Sequence, residues 1–107
     1  MLTLYKNILK VILDKLRIEL QDNLIDMYLF GSRARGNFDD KSDIDVLIIV
    51  KNRNSNISDK IIDIIVNEEI KAGLNFTPLI KDEKTFKLEQ QHNTPFYQNI
   101  INEGIKI

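Results

Sequence analysis

The stretch from Gly31 to Val50, GSRARGNFDDKSDIDVLIIV, constrains this chain more than any other. In its second half Ile44, Val46, Ile48 and Val50 alternate with Asp43, Asp45, Leu47 and Ile49. Side chains two apart on a strand point to the same face. Asp43 and Asp45 are therefore expected to share one face at the strand's start, with Leu47 and Ile49 continuing that face as apolar cover. A strand apolar on both faces belongs in the middle of a sheet. The first half opens with Gly31-Ser32 and carries Arg33, Arg35 and Gly36, and ten residues separate Ser32 from Asp43. A short helical turn over 32–35, ended by Gly36, would aim its first amides outward. The polar segment 37–42 reads as an exposed loop.

These two halves offer complementary chemistry. Two carboxylates on one face repel each other in a low dielectric and call for a cation or a proton. Hard oxygen ligands suit magnesium or manganese, which keep several waters and bridge to substrate phosphates. Gly31 has no side chain to obstruct a phosphate, and the guanidiniums of Arg33 and Arg35 can neutralise triphosphate charge. Taken singly, each part is commonplace: a Gly-Ser turn, two solvated arginines, an Asp-x-Asp at a strand end. Their conjunction points to a nucleoside triphosphate bound with one or two magnesium ions, held by Gly31, Ser32, Arg33 and Arg35 on one side and by Asp43 and Asp45 on the other.

Around this centre the chain reads as alternating helices and strands. Leu4, Ile8, Val11, Ile12, Leu16 and Leu20 predict an amphipathic helix over 2–20, with Leu9 and Leu13 widening its stripe. Residues 25–30 (IDMYLF) predict a buried strand before the glycine. After a polar linker over 51–56, Ser58 is the expected cap of a helix to about Lys71, stopped by Gly73. Ile61, Ile62, Ile65, Val66 and Ile70 supply its apolar stripe. Residues 74–80 (LNFTPLI) predict a third strand, placed at an edge or interrupted because Pro78 has no amide to donate. Asp82 is the expected acidic cap of a short helix to Gln90. Thr94-Pro95 starts a last helix with Phe96, Tyr97, Ile100 and Ile101 on its apolar face and Gly104 at its end. His92, the single histidine, falls in a polar linker, and Tyr5, Tyr28 and Tyr97 read as core or rim residues.

At 107 residues the chain suits one domain with a modest core. Its net charge of -1 gives no global field toward nucleic acid, so phosphate affinity must be local. The absence of cysteine excludes disulfides and thiolate metal sites. No apolar run approaches the roughly 18 residues a membrane span needs, and the N-terminal residues lack a signal pattern. A cytoplasmic location without membrane contact is the expectation.

Gly31-Ser32, ten residues, then Asp43-x-Asp45 resembles the signature of the DNA polymerase beta nucleotidyltransferase superfamily. The fuller form, GSRARG followed by SDIDVLI, resembles its minimal nucleotidyltransferases, small proteins often paired with a helical HEPN ribonuclease. The segment from Pro95-Phe96-Tyr97 to Glu103-Gly104-Ile105 is similar to the end of small members of this group. The resemblance implies an α/β (α+β) fold, a small mixed twisted sheet flanked by helices, spanning residues 1–107 as one minimal domain. It further implies transfer of AMP from Mg-ATP to an acceptor hydroxyl, with Ser32 on the triphosphate and Asp43 and Asp45 as the catalytic metal ligands. In some such pairs the nucleotidyltransferase is the antitoxin and adenylylates a tyrosine of its HEPN toxin, so a HEPN-type toxin or another small helical protein is the implied partner. Homo-oligomerisation is left open.

The chain departs from the family in one respect. Catalytic members carry a third carboxylate on a later strand, and the matching strand here, 74–80, holds no acid; Thr77 sits near that position, with Asp82 and Glu83 just beyond it. Three readings follow. The first is a protein adenylyltransferase, probed by whether a third acid reaches Asp43 and Asp45. The second is an impaired nucleotide-binding or interaction module that neutralises a partner by contact. The third is a structural subunit in which the two carboxylates are splayed away from the Gly31 turn. At this length no further domain that selects a nucleic acid is expected, and a protein acceptor is the expectation.

Overall fold

A computed structural model describes residues 2–31 and 43–107. The chain runs α1 (Leu2–Leu20), a single 3-10 turn (Gln21–Asn23), β1 (Leu24–Phe30), β2 (Ile44–Val50), α2 (Ser55–Ala72), β3 (Phe76–Asp82), α3 (Glu83–Gln91), α4 (Pro95–Glu103) and β4 (Ile105–Lys106). The four strands form one mixed sheet in the order β3-β2-β1-β4. Strand β2 is antiparallel to β1 and parallel to β3. The central position expected for β2 is the observed one, and β3 is an uninterrupted edge strand despite Pro78.

The periodicity of β2 divides the core between the two faces of the sheet. Ile44, Val46, Ile48 and Val50 point toward the main cluster, where they meet Leu9, Ile12, Leu16 and Leu20 of α1 and Ile61 and Ile65 of α2. Leu47 and Ile49 point the other way and are closed over with Ile100 of α4, flanked by Tyr28, Phe30, Phe86 and Phe96. Removal of these apolar side chains from water, at about 25 cal/mol per Å², is the main favourable term.

The helix stripes are shifted from expectation. In α1, Tyr5, Leu9, Ile12, Leu13, Leu16 and Leu20 are buried, whereas Leu4, Val11 and Ile18 are exposed. The apolar residues cover more than half of the helix circumference, and the sheet selects the arc centred on Leu9 and Leu16. In α2, Ile61 and Ile65 are buried and Ile62, Val66 and Ile70 are exposed for the same reason. Helix α2 also begins earlier than Ser58. Asn54 caps it, its side chain accepting from Ile57 N at 2.9 Å, while Ser58 N donates to Asn54 O inside the first turn. Asparagine caps as well as serine does, so two candidates four residues apart compete and the first one wins. Three other boundaries follow the expected signals: Gly73 ends α2 at φ 68°, Asp82 caps α3 through Thr85 N, and Thr94 caps α4 through Tyr97 N. Strand β3, expected over 74–80, instead runs Phe76–Asp82. The two-residue strand β4 was absent from the sequence expectation, because nothing in its composition separates it from a frayed helix end.

The free edge of β3 is blunted. Ile44 N donates to Asn75 O, so the odd-numbered residues of this segment bond inward to β2 and the even-numbered ones face outward. Of the outward positions, Phe76 N is taken by Glu69 Oε2 at 3.0 Å and Pro78 has no N–H. Two consecutive outward positions thus offer no donor to an added strand.

Candidate functional site

The site lies where β1 ends and β2 and β3 begin, on the sheet face opposite α1 and α2. Tyr28 pairs with Leu47 and Phe30 with Asp45, which puts these four side chains on the same face. Thr77 is the register partner of Asp45 across the parallel ladder, so it too points there. Helices α3 and α4 cover Leu47 and Ile49 farther along, leaving Asp43 and Thr77 exposed and Asp45 half-buried at the uncovered end.

Three contacts organise this end. Gly31 follows β1 with φ +75°, a left-handed backbone that disfavours any residue with a Cβ. A Cβ at Gly31 would overlap the Asp45 carboxylate, Oδ2 foremost. The carboxylate therefore lies directly against the bare backbone of the turn. Next, Thr77 Oγ1 donates to Asp43 Oδ2 at 2.8 Å. Because Thr77 faces the same way as Asp45, this bond holds the Asp43 carboxylate on that face as well. Among the described residues, Asp43, Asp45, Thr77 and the Gly31 backbone thus form one open, oxygen-rich corner.

Of the residues expected at the site, Gly31, Asp43 and Asp45 are brought together. Ser32, Arg33 and Arg35, together with Gly36, lie outside the described residues. The reading in which the carboxylates splay from the Gly31 turn does not match this geometry. Asp82 is far from the corner: it pairs with Val50 at the other end of the strands, five residues from Thr77. At about 3.3 Å per residue that is roughly 16 Å, and its carboxylate is already used as the α3 cap, accepting from Thr85 N at 2.7 Å. That capping bond holds the Asp82 carboxyl below its ordinary range. Glu83 follows it into α3. Among the described residues no group of three or more histidine, cysteine, aspartate or glutamate side chains converges.

A divalent cation fits this corner. Magnesium is commonly held by one or two carboxylates and completes its shell with water and substrate phosphate oxygens. Asp43 and Asp45 supply the hard ligands, and the missing Cβ of Gly31 is what lets the Asp45 carboxylate lie against the turn.

Other candidate side chains are engaged elsewhere. Tyr28 is half-buried between β1 and α4, and burial first, then the nearby Asp26, pushes its hydroxyl upward. Tyr5 is buried on the core face of α1. Lys81 shares the site's sheet face but is tied to Glu89 and lies 4.2 Å from the centroid of Phe96. His92 is an exposed residue ending α3. Thr77 was legible only as a residue standing where an acid was expected; its hydrogen bond to Asp43 required the register of β3 on β2, which no local signal supplies.

Comparison with known proteins identifies the family and the fold. The model of the family described as nucleotidyltransferase domain matches residues 9–107. A Methanocaldococcus jannaschii protein that carries the provisional name protein adenylyltransferase is 37% identical over 89 residues, covering 82% of this chain and 83% of that protein. The crystal structure of a provisionally named nucleotidyltransferase from Sulfolobus solfataricus superposes with a TM-score of 0.54 at 25% identity, covering 99% of this chain and 78% of the other. A chain from a toxin-antitoxin crystal structure with AMP-PNP shares the fold, with a TM-score of 0.55 at 20% identity and coverage of 89% and 68%.

Proposed function

Since the chain belongs to the nucleotidyltransferase domain family, we propose that it transfers AMP from Mg-ATP to a hydroxyl of a partner protein, and that the partner is a HEPN-type toxin for which it is the antitoxin. The observation that carries the reading is the Asp45 carboxylate packed on the bare Gly31 backbone, with Asp43 held beside it by Thr77. The relative named as a protein adenylyltransferase supports a protein acceptor, and the likeness in sequence to minimal nucleotidyltransferases supports the toxin as partner.

In this reading Asp43 and Asp45 hold magnesium, which when bound supplies positive charge to the triphosphate and the leaving pyrophosphate. The Gly31-Ser32 turn, with Arg33 and Arg35, receives the phosphates. The acceptor oxygen forms a bond to the α-phosphorus, the bond from that phosphorus to the β-phosphate bridge breaks, and pyrophosphate leaves. In this reading the acceptor proton passes to water. Among the described residues no third acid joins Asp43 and Asp45, and Thr77, near the position expected for the family's third acid, carries a hydroxyl that is no base at neutral pH. This favours a phenol, whose pKa of about 10 makes its oxygen easier to deprotonate than an aliphatic hydroxyl.

The same substitution favours a second reading, a module that binds nucleotide and neutralises its partner by contact. One experiment separates them: the chain is incubated with ATP labelled at the α-phosphate, magnesium and a candidate toxin. Label on the toxin, lost with Asp45→Asn, supports transfer. A toxin that is neutralised without label supports contact alone.

A further inference from the structure

We propose that Thr77 is a positioning residue for Asp43, setting the metal-dependent part of nucleotide affinity. The proposal rests on the reading above, that Asp43 and Asp45 hold a divalent cation.

Asp43 precedes the first residue of β2 and is exposed, so among the described residues neither the ladder nor packing fixes its side chain. An unrestrained carboxylate there would have to be ordered by the cation itself, and that ordering opposes binding. Thr77 removes the cost beforehand. Its backbone is locked by the parallel register Asp45↔Thr77, and its β-branched side chain has restricted χ1 freedom. From that fixed base the hydroxyl donates to Asp43 Oδ2. A donor to a carboxylate takes one acceptor oxygen and leaves the other oriented but available. The bond also turns Asp43 toward the face that Asp45 occupies, against the Gly31 turn. A carboxylate in place of Thr77 would add a third negative charge to this corner; a hydroxyl keeps the charge at two and orients one member of the pair.

Substitutions at Thr77 test this without threatening the fold, since the residue is exposed and valine has nearly the same shape with a strong strand preference. The probe is AMP-PNP, titrated calorimetrically into the full chain with Mn2+ and again with EDTA. The wild-type chain should bind more tightly with Mn2+. Thr77→Val should reduce that gain about fivefold, the scale of one hydrogen bond, while leaving affinity in EDTA and the melting temperature unchanged. Thr77→Ser should restore the gain to within twofold. An undiminished gain in Thr77→Val overturns the proposal, as does an equal loss in Mn2+ and EDTA, which would mark a role unconnected to the cation. A wild-type chain with no Mn2+ gain overturns the reading of Asp43 and Asp45 itself, and is recognised because it needs no variant to appear.

Discussion

The two faces of the sheet are built from the same strands to opposite ends. On one face, Ile44, Val46, Ile48 and Val50 disappear beneath α1 and α2 along the full length of β2. On the other, α3 and α4 close over Leu47 and Ile49, and the cover ends before Asp45 and Asp43. The first face supplies most of the buried apolar surface. The second leaves two carboxylates within reach of solvent, one on β2 and one at the residue that leads into it. The difference teaches where precision in this site comes from. Asp45 stands on β2, the most deeply buried strand among the described residues, so the well-packed face sets its position, whereas Asp43, just before β2, is oriented by Thr77.

Substitutions should separate these two roles. The largest effect is expected at Asp45: Asp45→Asn should lower AMP transfer by about three orders of magnitude, roughly 4 kcal/mol of transition-state stabilisation, while thermal melting stays near wild type. An equal fall in melting temperature would mean that the open face is structural. Next come core truncations. Leu29→Ala, beneath α1, should cost about 2–5 kcal/mol in denaturant unfolding, and Leu47→Ala on the other face should fall nearer the lower end, because its small cluster can collapse. Equal costs would remove the asymmetry between the faces.

A smaller effect should follow Gly31→Ala. The left-handed backbone alone costs about 1 kcal/mol, and the new methyl must displace the Asp45 carboxylate. Weaker Mg-ATP binding with a modest stability loss is expected; unchanged binding would separate the turn from the site.

The smallest effect is a pH dependence on the packed face. Glu68 is buried at the α1–α2 contact and hydrogen-bonded by Lys15, with Lys71 nearby. Lys15 above all holds the Glu68 carboxyl below its ordinary 4.5. A lowered carboxyl contributes stability above its unfolded value, lost as pH falls through the lower folded value. Chemical denaturation should therefore show stability declining below about pH 4.5, and Glu68→Gln should flatten that decline. A profile unaltered by Glu68→Gln would place the acid sensitivity elsewhere.

Much of this was legible in the sequence, and the exceptions share a cause. The central strand, the edge position of β3, the caps at Asp82 and Thr94 and the Gly73 stop were all written in local patterns. The face of Asp45 was written in the alternation of β2, while Asp43, just before the strand, is turned toward that face by Thr77. Helix stripes were legible only in part. Leu4, Val11, Ile62 and Ile70 fit the helical period as well as their buried neighbours do, and only packing on the sheet decides between them. Strand β4 and the Thr77–Asp43 bond depend on register between distant segments, which local sequence does not encode.

The central claim is that the open corner formed by Gly31, Asp43, Asp45 and Thr77 is a metal-dependent nucleotide site. Calorimetric titration of ATP into the wild-type chain and the Asp43→Asn/Asp45→Asn double variant, each with and without magnesium, tests it most directly. The account predicts binding that magnesium strengthens in the wild-type chain and no magnesium response in the double variant. Equal magnesium-dependent affinity in both proteins would contradict it.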